Sequence, residues 1–507
     1  MNNHLISSMV LLPLVGALFQ AFLPGIRGIR SDMVARWMAL SASLAASICG
    51  FVLVISMQRG TADLQAIEIL EWVGSYAISY DMGVDGLNAL IVLLVSIIFP
   101  VLIASEWNQK VGARGMYGLF LILQTAFFGV ACAQDLFLLF FFWALSALPF
   151  YFLIGIWGGP GREGAAFRSV VAASIGNALL FAALILVYYS VDPHSFSLRE
   201  LANAKLTGKN FEILGHEFSL SVVAFSLIAI GLAFRAAIWP LHSWFTHAAR
   251  EAPPSVFVAL SAVTVPVAIY IFMRLSYTLF PESLLAAGNI IVAVGAINLF
   301  VGGVSSVAQR DLRLLLAFLC VGEVGFVLLG VGSLNSAGVV GAVYEQLVLG
   351  LGLAGFGLFS GLLNDRAGHS VFMREDGGPR PLGGIATRAP TMAVISGIFV
   401  ASLLGFPGLG GFVGHSLLLI GGYPGHPLAV ILALCAVLLA TYYLFVMYRL
   451  IFLGDSSVEM GVFGDLTLRE QAYLLPLVSG LLFCGMYPKP LLELVRPTVL
   501  TLLSTVK

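Results

Sequence analysis

Fourteen long apolar runs follow one another along the chain, separated by short polar stretches. They lie near 4–24, 33–57, 87–105, 115–133, 135–157, 169–190, 219–240, 255–276, 286–308, 312–333, 337–363, 390–420, 427–452 and 471–487. A hydrocarbon core of roughly 30 Å needs about 20 apolar residues per helix, so each run predicts one membrane span. The expected fold is an all-α integral membrane protein of about 14 transmembrane helices, a single membrane domain over 1–507. The first run lacks a basic leading segment and an A-x-A cleavage site, so it reads as a retained span and not a signal peptide. The stretch after the last run (490–507) is short and interrupted, and reads as an interfacial tail.

Composition strengthens this picture. Hydrophobic residues make up 59% of the 507, charged residues only 10%, and mean hydropathy is +0.99. A soluble chain carries roughly 25% charged residues. A net charge of -1 gives no electrostatic reason to expect a nucleic-acid partner. The five cysteines all fall inside apolar runs without C-x-x-C spacing, which points away from zinc, iron–sulfur and disulfide roles. No phosphate loop, dinucleotide-binding glycine motif, H-E-x-x-H or G-x-S-x-G occurs, so no cofactor, metal or catalytic centre is expected in this chain. Of the 25 Lys and Arg, sixteen fall in loops after odd-numbered runs and eight in loops after even-numbered runs. This bias places both termini outside, in the periplasm of a bacterial cell.

Polar residues inside runs are the candidate chemistry, because ionisable groups in hydrocarbon are costly. Arg235 stands five residues before Pro240 in the seventh run. Pro240 predicts a broken helix there, and a broken helix at mid-membrane lines ion paths in transporters. Arg235 also suits a static role, since a guanidinium keeps its proton and cannot relay one. Pro407 and Gly408, among further glycines, predict a second break in the twelfth run, with His415 just beyond. An imidazole there can titrate near neutrality or serve as a hydrogen-bonded core residue. Glu323 and Glu345 are the carboxylates deepest in runs ten and eleven. Asp135 opens run five as a surface or helix-start residue. The glycines of run eleven read as close helix packing. Breaks five runs apart imply two five-helix units of opposite topology, near 115–276 and 286–452.

Several stretches carry a family resemblance: DMGVDGLNALIVLLVSIIFPVLIASEW (81–107), AQDLFLLFFFWALSALPFYFLIGIWGG (133–159), WPLHSWFTHAAREAP (239–253), SSVAQRDLRLLLAFLCVGEVGFVLLG (305–330) and GFPGLGGFVG (405–414). The chain resembles the antiporter-like membrane subunits of respiratory complex I, the proton-pumping NADH:quinone oxidoreductase, and chain M in particular. These subunits are related to the Mrp cation/proton antiporters. The resemblance implies fourteen helices with breaks in spans seven and twelve, neighbouring membrane-arm subunits that include sister antiporter-like chains, and a bacterial inner-membrane location. It also implies a mid-membrane proton path. In the family that path runs through a glutamate in span five, lysines in spans seven and eight, histidines in spans ten and eleven and an acid in span twelve. Here those positions hold Ala144, Arg235, Pro266, Glu323, Leu349 and His415. The expectation is a retained scaffold whose usual relay is lost, making this subunit pumping-deficient, rerouted or structural. Arg235 is expected to find Glu323 as its counter-charge. The alternative function is a subunit of an Mrp-type monovalent cation/proton antiporter.

Overall fold

The computed structural model describes residues 4–22, 29–204, 206, 208–213, 216–373, 382–454 and 463–506. In the N-terminal half, α1 (Leu5–Phe22) and α2 (Ile29–Ser56) lead into an antiparallel hairpin of β1 (Gln65–Val73) and β2 (Ile78–Val84). Then follow α3 (Ala89–Ser105), α4 (Ala113–Cys132), α5 (Leu136–Leu145), α6 (Ala147–Trp157), α7 (Arg162–Tyr189) and the short α8 (Leu198–Asn203). A second hairpin, β3 (Asn210–Ile213) with β4 (His216–Ser219), precedes α9 (Leu220–Arg235), α10 (Ser243–Glu251) and α11 (Pro254–Val258). The C-terminal half comprises α12 (Val265–Leu279), α13 (Pro281–Val307), α14 (Leu312–Gly332), α15 (Ser336–Ala367), α16 (Pro390–Leu403), α17 (Gly410–Gly422), α18 (Pro427–Tyr448), α19 (Leu468–Met486) and α20 (Lys489–Val506).

Among the described residues ten helical stretches are long and apolar enough to cross a bilayer, and the pair α19–α20, bent by 71°, raises this to eleven if it counts as one span. Fourteen spans were expected, and the difference falls where the chain is short or broken. Run three is α3, of 17 residues. Run seven is helical only to Arg235: the backbone turns at Ala237 (φ 55°), and Pro240, which has no N–H to donate, follows in the link. Run twelve divides into α16 and α17 around Gly405 (φ +69°) and Gly408 (φ +92°), values that favour glycine. Run eight is a single path from Pro254 to Leu279 with a π-helical turn over Ala259–Thr264. Pro266 accounts for that turn, since it offers no N–H to the Ala262 carbonyl one turn back.

Burial sorts the helices radially. α15 is buried from Gly338 to Leu363 and forms the axis, with the Pro254–Leu279 span beside it. Outer helices leave large apolar side chains uncovered, as with Leu438 (70% exposed), Phe300 (67%) and Ile290 (65%). An apolar exterior around an equally apolar interior is the arrangement a lipid solvent demands. Both hairpins were missed by the sequence reading. The first clasps α1: Glu68 of β1 accepts hydrogen bonds from Ile6 N (2.8 Å), Ser7 N (3.1 Å) and the Ser7 hydroxyl.

Candidate functional site

One helical hairpin and one half of a broken helix assemble a buried ionisable cluster inside the bundle. α14 and α15 are joined by the tight turn Ser333–Asn335, where Leu334 has φ 51° and Asn335 caps α15 by accepting from Gly338 N at 3.0 Å. Glu323 and Glu345 each lie eleven residues from Leu334, so the antiparallel helices bring both carboxylates to one level. At 1.5 Å per residue that level is roughly 16 Å from the turn, near the middle of a 30 Å hydrocarbon core. α17 then packs antiparallel on α15, backbone to backbone. A Cβ on Gly421 would overlap Gly338, one on Gly341 would stand 2.8 Å from Leu417 Cβ, and one on Gly414 would overlap Glu345 Oε2. The glycines are packing residues, as expected, and their spacing sets how near His415 comes to Glu345.

The outcome is a buried carboxylate–imidazole–carboxylate triad. His415 Nε2 is 3.1 Å from Glu323 Oε2 and 3.6 Å from Glu345 Oε1. All three residues are buried, with Glu345 only 2% exposed. Phe326 stacks on the imidazole with ring centroids 4.7 Å apart. Glu345 Oε2 is buried and accepts no hydrogen bond. The opposite ring atom, His415 Nδ1, abuts Gly405 at the helix break, where a Cβ would approach it to 2.8 Å. An imidazole placed this way can exchange a proton with carboxylates on one edge and receive or release one on the other.

Arg235 does not join this cluster. Its guanidinium donates to Trp143 O (3.1 Å) and Ser146 Oγ (2.8 Å) and lies 3.8 Å from the centre of the Trp143 ring. Among the described residues no carboxylate lies within 4.0 Å of it, so the expected pairing with Glu323 is corrected: Glu323 is engaged by His415 instead. The helix changes between α5 and α6 at Ser146, three residues before Pro149, and Trp143 O there also accepts from Ser146 N (3.3 Å) and the Ser146 hydroxyl (2.7 Å). Ala144 sits in that same turn and contributes no charge. Pro266 follows the π-helical turn, and Leu349 lies one turn beyond Glu345, packed in the core. Pro240 falls in the non-helical link between α9 and α10, and Pro407 with Gly408 in that between α16 and α17, as the sequence predicts. Asp135 is not at the surface: it is buried and caps α5, accepting from Leu138 N (3.0 Å) and Ser79 N (3.1 Å).

One buried pair escaped the sequence reading. Arg274, counted above with the loops, is buried in α12 and donates to Asp85 Oδ2 at 2.5 Å. Asp85 also accepts from Leu87 N (2.9 Å) and Asn88 N (3.3 Å). An acid just ahead of run three and a base near the end of run eight were the available signals.

Two broken helices, a mid-depth titratable triad and an apolar exterior together make up a transporter-like membrane bundle. The family model for the transmembrane region of NADH:quinone oxidoreductase and Mrp antiporter proteins matches residues 133–440, and the chain belongs to that family. Subunit M of the NADH-quinone oxidoreductase of Rhodobacter capsulatus is 28% identical over 501 residues, covering 98% of this chain and 96% of that protein. An NAD(P)H-quinone oxidoreductase chain 4 of Thermosynechococcus vestitus is 31% identical, over 95% and 88%. In shape the chain is similar to a chain of respiratory complex I from Thermus thermophilus, with TM-score 0.87, 23% identity and coverage of 99% and 100%. It is also similar to a chain of the Mrp complex from a Dietzia species, with TM-score 0.80, 20% identity and coverage of 99% of both chains.

Proposed function

We propose that this chain is an antiporter-like membrane subunit of a proton-translocating NADH:quinone oxidoreductase, set among sister antiporter-like chains in a bacterial inner membrane with both termini periplasmic. Within it the two halves have diverged in chemistry. The half containing α5 and α9 pairs its buried Arg274 with Asp85 and holds Arg235 against neutral acceptors and an aromatic face. It has no carboxylate at Ala144 to modulate that charge, and Pro266 interrupts the step toward the other half. A guanidinium keeps its proton, so this half is silent as a relay. The half containing α14, α15 and α17 keeps titratable groups in contact. There a proton shared between His415 and Glu323 can pass toward Glu345 with a small rotation of the ring, or leave through Nδ1 at the break.

The observation carrying this reading is the separation of Arg235 from the triad: one group is fixed by neutral partners, three others can exchange protons. The test is the proton-to-electron ratio of the assembled complex in sealed vesicles. Arg235→Ala should leave the ratio unchanged, whereas His415→Ala should lower it. Restoring Glu at Ala144 and Lys at Arg235 and Pro266 together should raise it. A fall in the ratio with Arg235→Ala would show that the N-terminal half conducts, and would end the proposal. Co-purification with flavin and iron–sulfur subunits supports the respiratory assignment; co-purification with small antiporter subunits instead would favour the Mrp-type alternative.

A further inference from the structure

The triad has a second chemistry that proton exchange does not use. Two carboxylates and one imidazole, drawn from three helices, converge so that one ligand atom from each lies within 4.8 Å of the others. Imidazole nitrogen and carboxylate oxygen together suit divalent first-row metals, zinc among them. A tetrahedral ion with ligand bonds of roughly 2.0–2.2 Å requires ligand atoms about 3.3–3.5 Å apart. The distances from His415 Nε2 are 3.1 Å to Glu323 and 3.6 Å to Glu345. The ligand atoms of the two carboxylates lie within 4.8 Å of each other, so drawing them together by at most about 1.5 Å would complete the set.

A separate observation points to a missing partner. Glu345 is 2% exposed, its Oε2 accepts no hydrogen bond, and its Oε1 stops 3.6 Å short of the imidazole, outside hydrogen-bond length. A buried carboxylate left that way is costly unless it is neutralised. An imidazolium can neutralise one of the two glutamates, and the other must then take up a proton of its own or stand as an excess negative charge in a low-dielectric interior. A divalent ion neutralises both, with the histidine bound as neutral imidazole.

We propose that Glu323, Glu345 and His415 form a binding site for one divalent metal ion of the zinc class, with a fourth position open to water. The ion and the relay proton occupy the same atoms, so metal binding excludes proton exchange at His415. The site rests on the triad's geometry and does not depend on whether the chain pumps.

The full chain, purified in detergent and stripped with chelator, is titrated with cobalt(II) and then with zinc alone. Wild type should retain one equivalent of cobalt through gel filtration, with the visible absorption of a four-coordinate ion, and zinc should displace it. Glu345→Gln and His415→Gln should each weaken retention by at least about tenfold, while Glu251→Gln, remote from the triad, should not. Monodisperse wild-type protein that retains no cobalt overturns the proposal, as does undiminished retention by His415→Gln. Should a variant fail to fold, X-ray absorption on the wild type decides: one nitrogen with oxygen ligands supports the site, an all-oxygen shell overturns it. An unchanged proton-to-electron ratio in His415→Ala, beside intact cobalt binding by wild type, would refute the relay and leave the metal site standing.

Discussion

At the scale of single residues, the neighbours of Arg235 decide what its charge can do. A guanidinium buried without a carboxylate relies on hydrogen bonds and on the face of an aromatic ring, the latter worth up to roughly 2 kcal/mol when desolvated. Ser146 Oγ and Trp143 O supply the first and the Trp143 indole the second. Ser146→Ala therefore removes an acceptor from a buried cation and should destabilise the chain by about 1–3 kcal/mol. Arg235→Met keeps the length of the side chain and removes the charge, so it should be neutral or stabilising. The double variant Ser146→Ala/Arg235→Met should then regain most of the stability lost by Ser146→Ala alone. Thermal unfolding in detergent measures all three. A strongly destabilised Arg235→Met protein would mean that the cation is needed where it stands. Arg235, Glu323, Glu345 and His415 were each legible in the sequence, because an ionisable letter inside an apolar run is conspicuous. Their grouping was not. Run membership fixes depth only loosely, and which residues share a level depends on the turn at Leu334 and on the way α17 crosses α15.

At the scale of elements, glycine is what converts apolar helices into a site. The contacts of α15 with α17 recur at Gly338 with Gly421, Gly341 with Leu417 and Glu345 with Gly414, one step every three or four residues along both helices. A methyl group on Gly414 would occupy the position of Glu345 Oε2, and one on Gly421 would collide with the backbone of Gly338. Overpacking of this kind costs roughly 1–3 kcal/mol or more. Gly414→Ala and Gly421→Ala should each lower the melting temperature, and Gly414→Ala should in addition move the Glu345 carboxylate away from His415. Gly425, with open space where its Cβ would stand, is the control, and Gly425→Ala should melt with wild type. Equal melting temperatures for all three variants would contradict the close α15–α17 approach. The breaks were readable from Pro240 and Pro407. The β1–β2 hairpin was not, because its alternating segment is brief beside the helical runs around it and one of its main contacts, Glu68 with Ile6 and Ser7, spans about sixty residues.

For the whole molecule, hydrophobic runs give the order of the helices but overstate how many cross the bilayer unbroken, since a run does not distinguish one helix from two half-helices meeting at a proline. Between the runs, polar connections hold the helix ends in place, and Asp465 is one such tie. Its carboxylate accepts from Thr391 N (3.0 Å) and Met392 N (3.0 Å) at the start of α16, and from Leu466 N (2.8 Å). Five residues on, Glu470 pairs with Arg366 of α15 at 2.6 Å. Burial pushes the Asp465 carboxyl up, but the N–H donors outweigh it and hold the group below the usual carboxylate range. The direction of linkage follows: a carboxylate with a depressed folded-state pKa contributes stability above its unfolded value of about 3.9, and that contribution is lost as pH falls through the folded value. Asp465→Ala, which frees the N–H groups at the start of α16, should therefore cost about 0.5–2 kcal/mol at pH 6. The difference between variant and wild type should shrink as pH is lowered below about 4. Melting curves of the purified chain across that interval test it, and a difference that stayed constant down to the lowest pH would show that the α16 end is held by something other than this charge.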